Sequence, residues 1–142
     1  YHRIHMPYGG KLKSMIYIPG DLFSVNTVTA NSVDNLFSRN ERLVCIFENA
    51  YGPMAMVLVG AIIVSGIRVV WKKNGFSQFH QIKKWDFSLE TDNEVSLEKG
   101  QEMGHFMLGS TVILCFPDSK MSLDKRVSKD SVIQMGEVIG SY

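Results

Sequence analysis

The residues best suited to covalent chemistry are one serine, Ser110, and two histidines near the start of the chain, His2 and His5. A serine hydroxyl is a weak nucleophile until a base takes its proton, and histidine is the side chain that most often does so. Ser110 stands in Leu108-Gly109-Ser110-Thr111, between two apolar runs. Alone, a Gly-Ser pair in that position is typical of a turn, so the motif by itself leaves both interpretations open.

Four other segments of the chain matter beside this motif: Tyr1-His2-Arg3-Ile4-His5-Met6-Pro7, Tyr17-Ile18-Pro19-Gly20-Asp21-Leu22-Phe23-Ser24-Val25-Asn26, Phe37-Ser38-Arg39-Asn40-Glu41-Arg42 and Gly100-Gln101-Glu102-Met103-Gly104. Taken together with the motif, they resemble the phosphatidylserine decarboxylase proenzyme family of the bacterial type. The resemblance extends along nearly the whole chain. In that family the Leu-Gly-Ser-Thr motif is a self-cleavage site.

The resemblance implies that the Ser110 hydroxyl attacks the carbonyl of Gly109. An N-to-O acyl shift would give an ester, and β-elimination would leave a pyruvoyl group at position 110. A glycine before the serine suits this chemistry because it has no Cβ and tolerates strained backbone. The implied products of the single catalytic domain 1–142 are a β-chain of residues 1–109 and an α-chain of residues 110–142.

The implied cofactor is therefore a covalent pyruvoyl group derived from Ser110, an electron sink comparable to pyridoxal phosphate. By resemblance, phosphatidylserine forms a Schiff base with it, loses CO2 and leaves as phosphatidylethanolamine. The family also implies a homodimer that binds no nucleic acid. Its implied location is peripheral, on the cytoplasmic side of the inner membrane.

The two histidines receive different roles from the resemblance. His5 corresponds by position to the processing base, which the family orients with an aspartate, and His2 to a histidine implicated in decarboxylation. His80 and His105 match no motif and are predicted to be structural or surface residues.

Two polar residues of the second matched segment, Ser24 and Asn26, are predicted to contact the substrate phosphate. Ordinary turn capping is the alternative.

The sequence begins at Tyr1 rather than methionine. The family carries a further N-terminal region that includes the orienting aspartate, so we expect this chain, without that region, to process poorly and to have little activity.

Composition is that of an ordinary globular domain: 142 residues, 45% hydrophobic, with a net charge of +1 that excludes a strong field for polyanions. Cys45 and Cys115 lie in apolar runs and are predicted to be buried free thiols, although a disulfide stays open. The apolar stretch from Met54 to Ile67 is shorter than the ~20 residues of a membrane-spanning helix.

The pattern predicts a mainly β fold of compact, barrel-sandwich-like sheets with glycine-turn hairpins and a few short helices. One strand is expected at Lys11–Ile18, with Leu12, Ser14, Ile16 and Ile18 on one side. The clearest hairpin joins Leu43–Glu48 to Met54–Trp71, the latter a bent strand or a strand pair. A helical turn is expected at Ser32–Leu36, and a long loop or hairpin at residues 72–94.

A weak repeat relates Leu97-x-x-Gly100-x-x-Met103-Gly104 to Ile133-x-x-Gly136-x-x-Ile139-Gly140. Both units are predicted to form strand, glycine turn and strand, and chance similarity between two common turn patterns is the alternative.

Residues 49–85 contain no acidic residue but hold Lys72, Lys73, Lys83 and Lys84 among Trp71, Phe76, Phe79 and Trp85. Basic residues with exposed aromatics suit an anionic membrane surface. The alternative is a solvated loop whose aromatics cover the core.

Two other functions compete with the decarboxylase hypothesis. A metal-dependent hydrolase would use His2, His5, His80, His105 and an aspartate such as Asp21, but their spacing matches no standard zinc pattern. A non-catalytic carrier-like domain fits the glycine hairpins, yet the chain lacks a lysine presented at a hairpin tip.

Overall fold

The computed structural model of the protein describes residues 2–61, 66–76, 78–88, 94–107, 111–118 and 120–142. In chain order its elements are β1 (Arg3–His5), β2 (Gly10–Ile18), α1 (Thr27–Ser32), α2 (Leu36–Arg39), β3 (Arg42–Asn49), β4 (Gly52–Val59), β5 (Ile67–Val69), β6 (Lys83–Asp86), β7 (Ser96–Leu97), β8 (Glu102–Phe106), β9 (Thr111–Cys115), β10 (Ser122–Leu123) and β11 (Gly140–Ser141). The predicted mainly β fold with few short helices is confirmed.

Two antiparallel sheets carry the core. The larger has the order β6-β2-β3-β4-β9, with β7 also paired to β2, and the smaller has the order β1-β8-β5. Buried side chains of both sheets, such as Phe47 and Met56 from the larger and Ile4, Ile67 and Met103 from the smaller, belong to one apolar cluster. The two sheets therefore bury their apolar faces in one core, as in a sandwich.

The hairpin of β3 and β4 is the best-predicted part of the fold. Its register runs without a break from Arg42 opposite Val59 to Asn49 opposite Gly52. Leu43, Cys45 and Phe47 are fully buried, because alternate residues of a strand point to the same face. The region predicted as Met54–Trp71 is a pair of strands, β4 and β5, which belong to different sheets, and residues 62–65 lie outside the described part.

The predicted face of β2 is wrong. A bulge between Leu12 and Ser14 shifts the register against β3. The buried residues of β2 are Leu12, Met15 and Tyr17. A strict alternation from Leu12 would instead have placed Ser14, Ile16 and Ile18 on the buried side. An extra residue at a bulge reverses the side to which all later residues point.

The helical turn predicted at Ser32–Leu36 is also misplaced. Asn26 caps α1, where its Oδ1 accepts the Thr29 N–H at 2.8 Å, and Asn35 adopts a left-handed conformation that separates α1 from α2. Helix α1 therefore ends, and helix α2 begins, at the two ends of the segment that was predicted to be one helical turn.

Two expectations for the later chain need correction. For residues 72–94, predicted to be a long loop or a hairpin, the described part contains one strand, β6, which pairs with β2 at the edge of the larger sheet; residues 77 and 89–93 lie outside the described part. Cys45 is a buried free thiol as predicted, but Cys115 is exposed because β9 is the last strand of that sheet.

The sequence repeat corresponds to a repeated backbone structure. In both units the glycine, Gly100 or Gly136, has positive φ, and its turn is closed by a backbone hydrogen bond, Gln101 N–H to Glu98 O or Glu137 N–H to Gln134 O. The side chains of Gln101 and Glu137 also accept the N–H of Glu98 and Gln134, respectively.

The two units differ in what surrounds their turns. In the first, Gly100 lies between strands β7 and β8, as predicted. In the second, the described chain has only the short β11 after the turn, so the predicted strand before Gly136 is wrong.

Gly20 supplies a test of the packing between the chain before α1 and the chain after α2. A Cβ at this position would lie 2.2 Å from the Arg39 carbonyl oxygen. We expect Gly20→Ala to destabilise the fold by about 1–3 kcal/mol, since two backbones would have to separate. Urea denaturation measures this. Gly9→Ala, whose Cβ would approach no closer than 3.3 Å, is the control, and an equal effect of both variants would contradict the close approach.

Candidate active site at the start of strand β9

The predicted cleavage motif adjoins the last strand of the larger sheet. Leu108, Gly109 and Ser110 lie outside the described residues. Thr111, the next residue, is the first of β9 and pairs with Val59 of β4. The ladder continues to Cys115 opposite Ala55, so the chain that follows the motif is bound to the sheet along five consecutive residue pairs.

A cavity of about 550 Å³ lies beside β9. His5 lines it from β1, Val112 and Leu114 from β9, and Met56 from β4. Residues 133–140 also line it, as do Arg3, Ile4, Met6, Pro7, Lys99 and Gly100. This volume falls in the range of about 300–1,000 Å³ that is typical of small-molecule sites. A histidine and the strand that follows the cleavage motif therefore share one largely apolar cavity.

The structure separates the two N-terminal histidines. His5 ends β1 at a register shift against β8, is half-buried, and lines the cavity. His2 is exposed and does not line it, and its backbone carbonyl accepts the Phe106 N–H at 2.9 Å. Of the two predicted site histidines, the fold brings only His5 to the cavity beside β9.

A carboxylate that the sequence analysis missed lies across from His5. Glu102 of β8 is the register partner of His5, and its two oxygens lie 2.8 and 2.6 Å from Nη1 of Arg3. His105 Nδ1 lies 3.7 Å from the same carboxylate. His105, predicted to be a structural or surface residue, thus lies beside the Arg3–Glu102 ion pair. Glu102 could have been found from its place in the matched segment that begins at Gly100.

A second missed carboxylate is buried. Glu41 is 4% exposed, its Oε2 accepts the Tyr17 hydroxyl at 3.0 Å, and its Oε1 has no hydrogen-bond partner in the described part of the chain. Burial raises the pKa of Glu41, and the hydrogen bond from Tyr17 partly offsets that rise. Strand parity could have found this residue, since Glu41 precedes the buried Leu43, Cys45 and Phe47 at the same two-residue spacing.

Asn40, the residue before Glu41, ties the start of β3 to neighbouring segments of the chain. It is fully buried, and its Nδ2 donates to the carbonyls of Phe23 at 2.8 Å and Gly60 at 2.9 Å. Its Oδ1 accepts the Phe23 N–H at 3.0 Å. The end of β4, the start of β3 and the segment before α1 are therefore fixed to one another by a satisfied buried amide.

Comparison with known proteins identifies the family. The sequence model of phosphatidylserine decarboxylase matches residues 1–141. The chain is 49% identical over 146 aligned positions to the phosphatidylserine decarboxylase proenzymes of Yersinia enterocolitica, Yersinia pestis and Yersinia pseudotuberculosis. This alignment covers 98% of the chain.

The chain belongs to the phosphatidylserine decarboxylase family.

The chain spans about half the length of the curated relatives it matches, since the alignment covers 48% of each Yersinia protein. The family assignment confirms the resemblance drawn from the sequence motifs. Ser110, His5 and His2 remain predicted site residues.

The two residues predicted to contact phosphate have local structural partners. Asn26 is the N-cap of α1, and the Ser24 hydroxyl accepts the Asn26 N–H at 3.4 Å. Neither residue lines the cavity beside β9. These contacts are those of the capping alternative, and a phosphate contact by Ser24 and Asn26 stays a prediction.

The aromatics among the central lysines are not exposed, contrary to one prediction. Phe76 is buried and stacks on Tyr17 with ring centroids 5.5 Å apart, and Phe79 and Trp85 are half-buried. The burial of these rings agrees with the alternative, in which the aromatics cover the core, and membrane binding by the lysines stays a prediction. Lys72 Nζ lies 5.7 Å from the Trp85 ring centroid, a cation–π distance, while Lys73, Lys83 and Lys84 are exposed.

The described residues give no support to the metal-dependent hydrolase. Within them, no three His, Cys, Asp or Glu side chains are arranged to hold a metal ion. None of the helices in this part of the chain is long and apolar enough to cross a membrane.

Glu41 predicts how stability depends on pH. The pKa of Glu41 is raised in the folded protein, so its neutral form contributes stability that is complete below the ordinary glutamate pKa of about 4.3 and is lost as pH rises through the raised value. The stability difference between the wild type and Glu41→Gln should therefore shift against the wild type as pH rises. Urea denaturation across pH measures it. Glu48→Gln, which changes an exposed carboxylate of the same strand, is the control, and an equal trend in both variants would contradict the assignment.

Proposed function

We propose that this protein is a self-processing phosphatidylserine decarboxylase whose pyruvoyl group forms from Ser110. The observation that carries the proposal is His5 lining an apolar cavity beside β9, the strand whose first residue directly follows Ser110. The names of the Yersinia relatives support both the decarboxylase activity and the self-processing, since each is a phosphatidylserine decarboxylase and each is a proenzyme.

Processing begins with the Ser110 hydroxyl. His5 takes its proton, the oxygen bonds to the Gly109 carbonyl carbon, and the C–N bond breaks as the Ser110 nitrogen gains a proton, which leaves an ester. Loss of the Ser110 α-proton then breaks the Cβ–Oγ bond and releases residues 1–109 with a carboxylate end. The elimination leaves a dehydroalanine at position 110, which becomes an imine when its Cβ gains a proton and its nitrogen loses one. Water hydrolyses this imine to a ketone with loss of ammonia, so the sequence needs no oxidant or reductant.

Antiparallel pairing of β4 with β9 supports an enzyme of two associated chains. Five residue pairs from Val59–Thr111 to Ala55–Cys115 join the proposed β-chain and α-chain. The α-chain residues Val112 and Leu114 lie on the cavity wall with Met56 of the β-chain. A new α-chain terminus would therefore stay beside the cavity after cleavage.

The residues present suit the chemistry that the pyruvoyl group would supply. The group would accept the electrons left when the substrate loses its carboxylate. Because the cavity is largely apolar, it would limit water around the reacting centre and accommodate part of a lipid. We assign His2 to the decarboxylation step and Ser24 and Asn26 to the substrate phosphate, on the family resemblance alone.

Membrane attachment and pairing of two copies complete the proposal. The exposed Lys73, Lys83 and Lys84, here called the basic strip, would attract the anionic lipids of the cytoplasmic leaflet. The family resemblance supports a homodimer bound peripherally to the inner membrane.

The processing role of Ser110 and His5 can be tested by intact mass. In the full-length gene product we expect two chains that separate at Gly109/Ser110, with Ser110→Ala uncleaved. His5→Ala should accumulate the uncleaved chain, because removal of a general base typically lowers a rate by ~10²–10⁴-fold. Carbonyl reagents such as phenylhydrazine should label only the cleaved α-chain.

His2→Ala is the matched histidine variant. We expect it to cleave but to release CO2 from phosphatidylserine slowly. Cleavage in His5→Ala together with its loss in His2→Ala would reverse the two roles. Full activity of the wild type after its carbonyl is blocked would refute the pyruvoyl mechanism.

The basic strip predicts a salt-sensitive membrane interaction. Replacing Lys73, Lys83 and Lys84 with glutamine should weaken binding to phosphatidylglycerol vesicles by about 1 kcal/mol per lysine at low salt. Vesicle sedimentation measures the change. The control removes three other exposed lysines, Lys120, Lys125 and Lys129, so both variants lose the same charge. Equal losses in the two variants would show that net charge, and not the strip, governs binding.

A further inference from the structure

Lys99 lies where two cavities meet. The cavity of about 550 Å³ beside β9, which His5 lines, adjoins a second cavity of about 340 Å³. Pro7, Lys99 and residues 138–140 line both cavities. Among these shared residues, Lys99 is the one with a charged side chain. The two cavities therefore form one bipartite space with a cation at the junction.

A tight turn fixes the backbone of Lys99 next to the strand that carries His5. Lys99 precedes Gly100, whose φ of +78° belongs to the turn between β7 and β8. The Gly100 N–H donates to the Met6 carbonyl at 2.8 Å, and the Met6 N–H donates to the Gln101 carbonyl at 2.9 Å. Because Met6 directly follows His5, two backbone hydrogen bonds set the position of Lys99 relative to that histidine.

The charge of Lys99 is not compensated within the described part of the protein. Its side chain is exposed, and no described Asp or Glu oxygen lies within 4.0 Å of its ammonium nitrogen. Arg3, which also lines the cavity beside β9, is paired with Glu102 at 2.6 Å. Glu137 on the same wall is paired with Arg126 at 3.6 Å. The described lining therefore offers an unpaired ammonium group to an anion.

The second cavity, here called the aromatic cavity, is lined by Tyr8, Tyr51, Phe116 and Tyr142. The rings of Tyr51 and Tyr142 stack with centroids 4.0 Å apart, and the Tyr8 ring packs edge-on to both at 5.2 and 5.1 Å. The Phe116 ring contacts Tyr142 at 5.9 Å, also edge-on. Rings that pack on one another give a fixed apolar wall, which suits the apolar part of a ligand.

We propose that Lys99 binds the phosphate diester of a phospholipid whose serine head lies in the cavity beside β9 and whose acylated glycerol lies in the aromatic cavity. In such a lipid the phosphate stands between the polar head and the glycerol, in the same order as the cation between the two cavities. An ammonium group donates strong, charge-assisted hydrogen bonds to phosphate oxygens. The inference rests on the proposed function, which places the reacting head beside β9. Ser24 and Asn26, assigned above to the phosphate by resemblance, line neither cavity.

The first experiment measures lipid binding in a full-length gene product that cannot process, Ser110→Ala. Isothermal titration calorimetry follows its binding of monomeric dihexanoyl phosphatidylserine. Adding Lys99→Gln should raise the Kd about tenfold, because a charge-assisted hydrogen bond is lost, whereas Lys99→Arg keeps the charge and should stay close to the parent. Lys129→Gln removes an exposed lysine that lines neither cavity and is the matched control. An unchanged Kd in Lys99→Gln, or an equal rise in Lys129→Gln, would overturn the proposal.

Changes of ligand show which part of the lipid Lys99 recognises. Dihexanoylglycerol lacks the phosphate and should bind equally well with and without Lys99→Gln, while glycerophosphoserine lacks the acyl chains and should keep the dependence on Lys99. Tyr51→Ser should weaken the dihexanoyl lipid but not glycerophosphoserine. Inorganic phosphate should not compete with the lipid at equal concentration, and competition would show a site for the free anion instead. Weaker binding in Ser24→Ala with none in Lys99→Gln would return the phosphate contact to Ser24.

Steady-state kinetics of the processed enzyme give a second readout. Lys99→Gln should cleave normally at Gly109/Ser110 and raise KM for phosphatidylserine with kcat nearly unchanged, since the phosphate contact is the same before and during the reaction. A fall in kcat with no change in KM would contradict a binding role. Lipid binding independent of Lys99 in an active enzyme refutes this inference alone. A wild type that neither cleaves nor decarboxylates refutes the proposed function, whatever the calorimetry of Ser110→Ala shows, so the two failures are distinguishable.

Discussion

The antiparallel ladder that joins β3, β4 and β9 is the constraint on which the rest of the structure depends. Its register aligns Arg42, Val59 and Thr111 in one row across three strands. Because side chains alternate along each strand, this alignment also decides which residues reach the core and which reach solvent. A slip of one residue in β9 would turn Val112 and Leu114 away from the cavity that they line.

The residues that precede β3 at this end of the ladder, Asn40 and Glu41, are polar and buried. Asn40 closes its hydrogen bonds with Phe23 and Gly60, and Glu41 shares one oxygen with Tyr17. A fully satisfied amide and a partly satisfied acid thus stand side by side. The amide costs little because all its bonds are made, while the acid carries the penalty of an unpaired atom.

A strand that is part of the sheet is a suitable place for the residues that follow a self-cleaving motif. If the proposed cleavage occurs, the piece that begins at residue 110 keeps the β4–β9 hydrogen bonds and the contacts of Val112 and Leu114. A break in a surface loop would give the new terminus no such support. The smaller sheet also contributes to the cavity lining, because β1 carries His5. The Arg3–Glu102 ion pair fixes β1 to β8.

The sequence by itself determined the family, the β class and the hairpin of β3 and β4. These follow from local signals: a motif in a fixed order, a two-residue apolar alternation, and turn residues at Asn49–Pro53. The glycine turns at Gly100 and Gly136 were likewise visible as a repeated spacing. Ser110, His2 and His5 were identifiable as site candidates because each is a nucleophile or a base that lies within a matched motif.

Only the tertiary structure decided the features that depend on distant pairing. The β2 bulge, the edge position of Cys115, and the partnership of β6 with β2 arise because strands far apart in sequence choose their neighbours and register. For the same reason the sequence could not show that His5 but not His2 reaches the cavity, or that Glu102 lies opposite His5. The burial of Glu41 beside Gly60 required three strands to align, which no local pattern specifies.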